Sequence, residues 1–365
     1  MRLRLVAVLL FAPMVLAQSP APASQEAPIV STRTTLVLVP ALVLDKNGEP
    51  IFALTAKDFT VTDDGIEQAV RVEEDTDSQP LALVVVVETG GAGAGQLGKY
   101  RDLGTWVETI VGNVPHMVAL VSFDSTAKVV QGFTPDLDQI GAGLGGLSAG
   151  DNGAAVLDGL NFAVNMIRKQ PPTYRRAILL VSERVDQGST TSFDEALRAI
   201  SDTNTAIYTL GFSSTKAVGK KTAAHTLADS RPGPAGGCMA KDPDDPDQNK
   251  LNQAFDCLSL LVPPLRLAKA AAEMGVEGMR RNVPESVAEL TGGEYFSFKD
   301  ARGIDRDLLA ISHHLPNRYV LSFQPTDPHA GFHTIGLKLK SYPKLDVTAR
   351  NGYWVDEEAG TQAGH

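Results

Sequence analysis

The stretch Leu81 to Ala92, LALVVVVETGGA, constrains this chain more than any other. Leu81 to Val87 run without a polar break, then stop at Glu88 and a small-residue loop. An unbroken β-branched run closed by glycine predicts a strand buried on both faces, at the centre of an open α/β sheet. The loop after such a strand is where ligands of these sheets bind. What ETGGA can hold therefore decides the functional reading.

The pattern that follows alternates. Tyr100, Leu103, Trp106, Val107, Ile110 and Val111 keep helical spacing, and His116 to Phe123 is a strand with Lys128 to Phe133 pairing beside it. A helix carrying Val156, Leu157, Leu160, Val164 and Ile167 comes next, then the strand Ala177 to Ser182. Ser192-Phe193-Asp194-Glu195 is a capping box that opens a further helix, and Ala206 to Phe212 is a strand again. After a break, Pro284 to Leu290 is a helix ended by Gly292-Gly293, and Glu294 to Phe298 is an edge strand. Ile304, Leu308, Ile311 and Leu315 mark a last helix. Short-linked alternation of this kind specifies an α/β fold, a doubly wound and mostly parallel sheet flanked by helices.

Both flanks of this region are β. Thr35 to Leu44 reads as a strand pair or one bent strand, with Pro40 marking an edge or bulge. Phe59 to Thr62, the turn Asp63-Asp64-Gly65 and Gln68 to Glu73 complete a small β unit. Arg318 to Phe323, His333 to Leu339 and Leu345 to Tyr353 alternate polar and apolar residues, as half-buried strands do. The expectation is a small β-sandwich built from the N- and C-terminal strands, with the α/β domain inserted. Its N-terminal part spans residues 33–76 and its C-terminal part 317–354. The α/β domain spans 80–316 with an insertion at 213–281, and 355–365 form a disordered tail.

Residues 1–17 read as a cleaved signal peptide: Arg2 and Arg4 are basic, Leu5 to Leu16 are apolar, and Val15 and Ala17 suit cleavage. The Pro/Ala/Ser-rich residues 18–32 are a flexible linker. No later stretch is apolar enough to span a bilayer, so the mature chain is expected to be secreted or periplasmic, without a membrane span. The formal net charge of −10 becomes more negative once Arg2 and Arg4 are removed, which excludes a nucleic-acid partner. The two cysteines, Cys238 and Cys257, predict one disulfide in an oxidising compartment. The acidic run Asp242 to Asp247 lacks the glycine turn and distal glutamate of a calcium loop, and reads as a solvated loop.

The order strand, small-residue loop, helix, strand, strand, helix, strand resembles a von Willebrand factor type A domain. The flanks LDKNGEPIFALTAKDFTVTDDGIEQ, RYVLSFQP and ARNGYW are similar to those of secreted von Willebrand factor A-related proteins of acidobacteria. The resemblance covers about residues 33 to 212 and 284 to 354. It implies a metal-ion-dependent adhesion site: Asp-x-Ser-x-Ser after the first strand, a threonine before the third helix and an aspartate after the fourth strand. Magnesium held there keeps an open position for a partner's carboxylate. In this chain those positions fall on Glu88, Gly90, Ala92, Ala154 (in GDNGAAVLDG) and Glu183 (in LLVSERVD). All three hydroxyls are gone and both carboxylates are one methylene longer. Octahedral magnesium is strict about geometry, so the expectation is a degenerate site with no resident cofactor and at most weak Mg2+ or Mn2+ binding. Without a cation, Glu88 and Glu183 meeting at the strand ends would repel, and one would take up a proton. Asp151 and Asn152 are replacement oxygens that keep a metal reading open.

Two enzyme-like patterns remain. Gly93 to Gly98 satisfies G-x-G-x-x-G with Asp124 downstream, but its first glycine comes well after Val87, where a tight turn is needed. Gly141, Gly143 and Gly146 match the same expression in what reads as a loop with no strand before it. Gly146-Leu147-Ser148-Ala149-Gly150 matches a nucleophile elbow, with Asp186 and His225 or His313 in the right chain order, yet the preceding LDQIGAGL is not a buried strand. His313 and His314 are adjacent on a helix and point apart. His329 and His333 flank a turn, where an ordinary surface histidine is expected. The reading is an exported, non-enzymatic, adhesion-type protein that binds a protein partner at the cell envelope or outside the cell. Its rivals are a metal-dependent adhesin using Glu88, Asp151 and Glu183, and a secreted serine hydrolase using Ser148.

Overall fold

A run of apolar residues is buried on both faces only if something covers each face. The computed structural model describes residues 36–73, 79–100, 103–212 and 282–356 and shows what does so. Every residue of β5 (Leu81–Glu88) is buried, and the short helix α1 (Leu97–Tyr100) follows it. Alternate side chains of β5 enter two separate cores. Leu81, Leu83, Val85 and Val87 pack with α2 (Leu103–Val111), α3 (Leu137–Gly145) and α7 (Ala301–His314). Ala82, Val84 and Val86 pack with α4 (Val156–Ile167), α5 (Phe193–Thr203) and α6 (Val283–Thr291). Each buried valine or leucine contributes about 1.5–3 kcal/mol, so this strand anchors both cores at once.

The remaining strands of this sheet are β6 (His116–Phe123), β7 (Ala127–Thr134), β8 (Arg175–Glu183), β9 (Ala206–Phe212) and β10 (Tyr295–Ser297). They stand in the order β10-β9-β8-β5-β6-β7, all parallel except β7, which runs antiparallel to β6. The fold is the expected doubly wound sheet. The helix boundaries follow from capping. Ser192 Oγ accepts from Glu195 N at 3.2 Å to open α5. Gly292 closes α6 with φ of +74°, and a Cβ there would lie 2.7 Å from Arg350 N. One local expectation is corrected. Leu137 to Gly145 is a helix, not a glycine loop, because Asp136 caps it and Ile140 and Leu144, one turn apart, are both buried.

The flanking strands form two antiparallel sheets. One is β13-β1-β11-β4, with β1 (Val37–Leu44), β4 (Arg71–Val72), β11 (Tyr319–Phe323) and β13 (Asp346–Ala349). The other is β14-β12-β2-β3, with β2 (Phe59–Asp63), β3 (Ile66–Gln68), β12 (Gly331–Leu339) and β14 (Gly352–Val355). Val37, Val39, Ala41 and Val43 of β1 meet Phe59 and Val61 of β2, Ile335 of β12 and Tyr353 of β14 in one shared core. Asp64 and Gly65, with φ of +46° and +85°, make the tight turn between β2 and β3.

Two further expectations are corrected here. Pro40 is neither at an edge nor at a bulge: β1 is one strand with neighbours on both sides. Pro40 stands opposite Val320 of β11, and its carbonyl accepts from Arg350 N at 3.2 Å. Leu345 to Tyr353 is not one strand but two, β13 and β14, which lie in different sheets, and Val355 still belongs to β14.

The sandwich is fastened to α5. Trp354 N donates to Ser201 Oγ at 3.2 Å, and the Arg198 guanidinium stacks 4.3 Å over the Trp354 ring. Arg350 is buried and donates to Gly352 O, Leu38 O and Asn204 Oδ1. Burial lowers its pKa to about 10. The stretches expected to be a signal peptide (1–17), a linker (18–32), an insertion carrying His225, Cys238 and Cys257 (213–281) and a tail (355–365) lie wholly or almost wholly outside the described residues. No helix of the described residues is long and apolar enough to cross a membrane.

Candidate functional site

The carboxyl ends of β5, β6 and β8 bring three loops together. Glu88, the last residue of β5, is fully buried. Its Oε1 accepts from Gly93 N at 3.0 Å and its Oε2 from Glu183 N at 2.6 Å. Both oxygens are thus spent on backbone amides. Burial pushes the Glu88 pKa up to about 7, those two hydrogen bonds pull it down, and the nearby Glu183 carboxylate raises it further. The structure therefore does bring Glu88 and Glu183 together, and it is Glu88 that is poised to hold a proton.

The loop after Glu88 is packed shut. Thr89 N and Thr89 Oγ1 both donate to Phe123 O, Gly91 N donates to Asp151 O, and Gly150 N donates to Thr89 O. Gly90 sits where the loops touch: a Cβ there would lie 2.1 Å from Gly153 O and 2.8 Å from Asp124 Cα. Real Cβ atoms do not approach backbone so closely. No serine fits at Gly90 unless the 150–153 loop moves. Ala92 is partly buried and packs on the β5 core.

Ala154, at the threonine position, is buried in a two-residue bridge with Gln187, each amide donating to the other's carbonyl. Asp151 turns its Oδ1 to Ser125 N at 3.0 Å and Gly153 N at 2.8 Å, and these bonds hold its pKa below the ordinary carboxylate range. Asn152 is exposed. Asp124, which the sequence offered only as a nucleotide-motif partner, organises the neighbouring loop. Its carboxylate accepts from Thr126 N, Thr126 Oγ1 and Lys128 Nζ. Burial opposes its ionisation, but these bonds outweigh burial and lower its pKa. Nothing in the sequence marked Gly150 and Gly153 as the contact points of this loop, since their role depends on loops far apart in the chain.

The solved structures that this chain is similar to include von Willebrand factor A domain proteins. One is the vWF domain of the type V pili tip protein Mfa5 from Porphyromonas gingivalis, at 20% identity over 30% of this chain and 39% of that one, with a TM-score of 0.27. BatB from Bacteroides thetaiotaomicron matches at 18% identity over 36% of this chain and 66% of that one, with a TM-score of 0.32. Proximal thread matrix protein 1 from the mussel byssus, solved with a zinc-occupied MIDAS motif, matches at 11% identity over 69% of this chain and 49% of that one, with a TM-score of 0.41. In each case the chain spans less than two thirds, or just short of two thirds, of the matched structure's length. No family model matches the chain, and no curated protein matches it.

The enzyme-like patterns do not assemble. Ser148 is exposed and follows helix α3, so the strand that a nucleophile elbow requires is not before it. Asp186 is a helix cap: its Oδ1 accepts from Leu157 N at 3.0 Å and from Ser189 Oγ. Gly93 opens a short 3-10 turn, and its amide is already committed to the Glu88 carboxylate, which would repel a phosphate. His313 and His314 point apart as expected: His314 is buried against Glu294 at 2.9 Å, while His313 is exposed. Of the two histidines at the turn, His329 is exposed as expected of a surface histidine, while His333 is not. Its ring is fully buried beside Asp63.

A cavity of about 820 Å³ lies at the opposite end of the sheet, between the starts of β5, β8 and β9 and strands β1 and β11. Two of its arginines are committed to structure: Arg176 donates to Thr203 O and Gln170 O, and Arg318 to Gly292 O and Glu294.

Proposed function

We propose that this chain is an exported protein-binding module that engages its partner through the loop surface at the carboxyl ends of β5, β6 and β8, without a bridging cation. The observation that carries the reading is the state of Glu88. A carboxylate that would have to face a metal instead accepts two backbone amides, and Gly90 leaves no room for the hydroxyl that would join it. A cation there would have to break those bonds before gaining a ligand, and it would find Gly90, Ala92 and Ala154 at the three positions where the adhesion-site pattern has hydroxyls. Ser125, Asp151 and Asn152 are exposed in these loops, and Val185, two residues past the end of β8, is 41% exposed. The sequence resemblance to secreted von Willebrand factor A-related proteins supports export and an adhesive role.

The test is capture of partners from envelope extract by the full chain, with and without EDTA, comparing wild type with Val185→Asp and Asn152→Arg. The reading expects EDTA-insensitive capture that both variants weaken. Capture that EDTA abolishes and Mg2+ or Mn2+ restores would establish the cation-dependent alternative through Glu88, Asp151 and Glu183.

A further inference from the structure

A second cluster of metal-ligating side chains lies in the sandwich, outside the loops described above. The β2–β3 turn places Asp63 and Asp64 against the start of β12, where His333 is fully buried. His333 Nδ1 is 3.1 Å from Asp63 Oδ1 and 3.2 Å from Asp64 Oδ2. His329 approaches from the preceding loop, with its Nε2 3.8 Å from the same Asp64 Oδ2 and its ring 4.1 Å from that of His333. One ligand atom from each of Asp64, His329 and His333 lies within 4.8 Å of the other two.

We propose that Asp64 Oδ2, His329 Nε2 and His333 Nδ1 form a zinc site that staples the β2–β3 turn to β12 and the loop before it, with Asp63 Oδ1 beside it as the nearest fourth donor. Ligand atoms in a tetrahedral zinc site stand roughly 3.3–3.5 Å apart, close to the 3.2 and 3.8 Å found here. The atoms not facing the metal are already held. His333 Nε2 faces His329 O at 2.8 Å and can only donate to that carbonyl, so the neutral ring presents its Nδ1 lone pair to the metal. Asp64 Oδ1 accepts from Thr334 N and Thr334 Oγ1, and Asp63 Oδ2 accepts from Tyr353 OH at 2.9 Å. Carbonyl and hydroxyl partners of this kind orient the ligands of metal sites. Two imidazoles and a carboxylate select zinc over magnesium or calcium. A proton is the competitor. Imidazole and carboxylate ligands must be deprotonated to bind zinc, so binding releases protons and strengthens as pH rises.

The experiment titrates EDTA-stripped full chain with ZnCl2 by calorimetry and follows the melting temperature in parallel. The proposal expects one equivalent bound with a dissociation constant on the order of micromolar or tighter and a melting temperature that rises with zinc. His329→Ala, which removes a half-exposed side chain and should leave the fold intact, is expected to weaken binding by about 100-fold or more, and Thr334→Val by about 10–100-fold. Absence of zinc binding to the wild type overturns the proposal. So does zinc binding that His329→Ala leaves unchanged, because the metal then lies elsewhere in the chain.

Discussion

The burial of Glu88 makes a prediction about stability and pH. Its pKa stands at about 7 in the folded chain against an ordinary 4.5. Between these values the folded state binds a proton that the unfolded state has released. Stability must therefore fall as pH rises from about 4.5 to about 7, and then level off. At roughly 1.4 kcal/mol per pH unit, the gap corresponds to about 3 kcal/mol. Glu88→Gln removes the titration. It also adds a pH-independent cost of about 1–3 kcal/mol, because its amide group meets an N–H that a carboxylate oxygen now accepts from. Urea unfolding of both proteins at about pH 4 and about pH 8 separates the two effects. The advantage of wild type over Glu88→Gln should shrink by about 3 kcal/mol from the lower pH to the higher. An advantage that stays constant, or grows, would show that Glu88 is ionised at little cost and that the account of its burial is wrong.

Three other substitutions test neighbouring parts of the account. Gly90→Ser, which restores a missing hydroxyl, should lower stability by about 1–3 kcal/mol through its clash with Gly153 O and confer no Mg2+ response, as read by urea unfolding with and without the cation. Tyr100→Phe should be neutral or stabilising by up to about 1 kcal/mol in the same assay, because the buried Tyr100 hydroxyl has no hydrogen-bond partner among the described residues. Asp186→Ala should cost about 1 kcal/mol by uncapping α4, and a fluorophosphonate probe should label neither this variant nor wild type at Ser148.

The α/β fold was legible because its signals are local. Leu81 to Val87 are too uniformly apolar to face water on either side, and the parity of that run, odd residues to one core and even residues to the other, follows from the two-residue period alone. Helix α3 was hidden because glycine at Gly141, Gly143 and Gly145 lowers helix propensity, and only the burial of Ile140 and Leu144 against the sheet overrides it. The positions of Glu88, Ala154 and Glu183 were legible as departures from a pattern. The tight contact at Gly90 was not, since it depends on Gly153 in a distant loop. His333 and Asp63 are 270 residues apart, so no local pattern joins them. One signal was present all the same: His333 shares strand parity with the buried Ile335, which marks its side chain as inward-facing rather than as a surface histidine.

The central claim is that the loops at the carboxyl ends of β5, β6 and β8 hold no functional cation. Calorimetric titration of Mg2+ and Mn2+ into the full chain near neutral pH tests it most directly, with the His329→Ala background silencing the sandwich cluster. The account predicts no saturable heat and an identical trace for Glu88→Ala. Saturable binding that Glu88→Ala abolishes would contradict it.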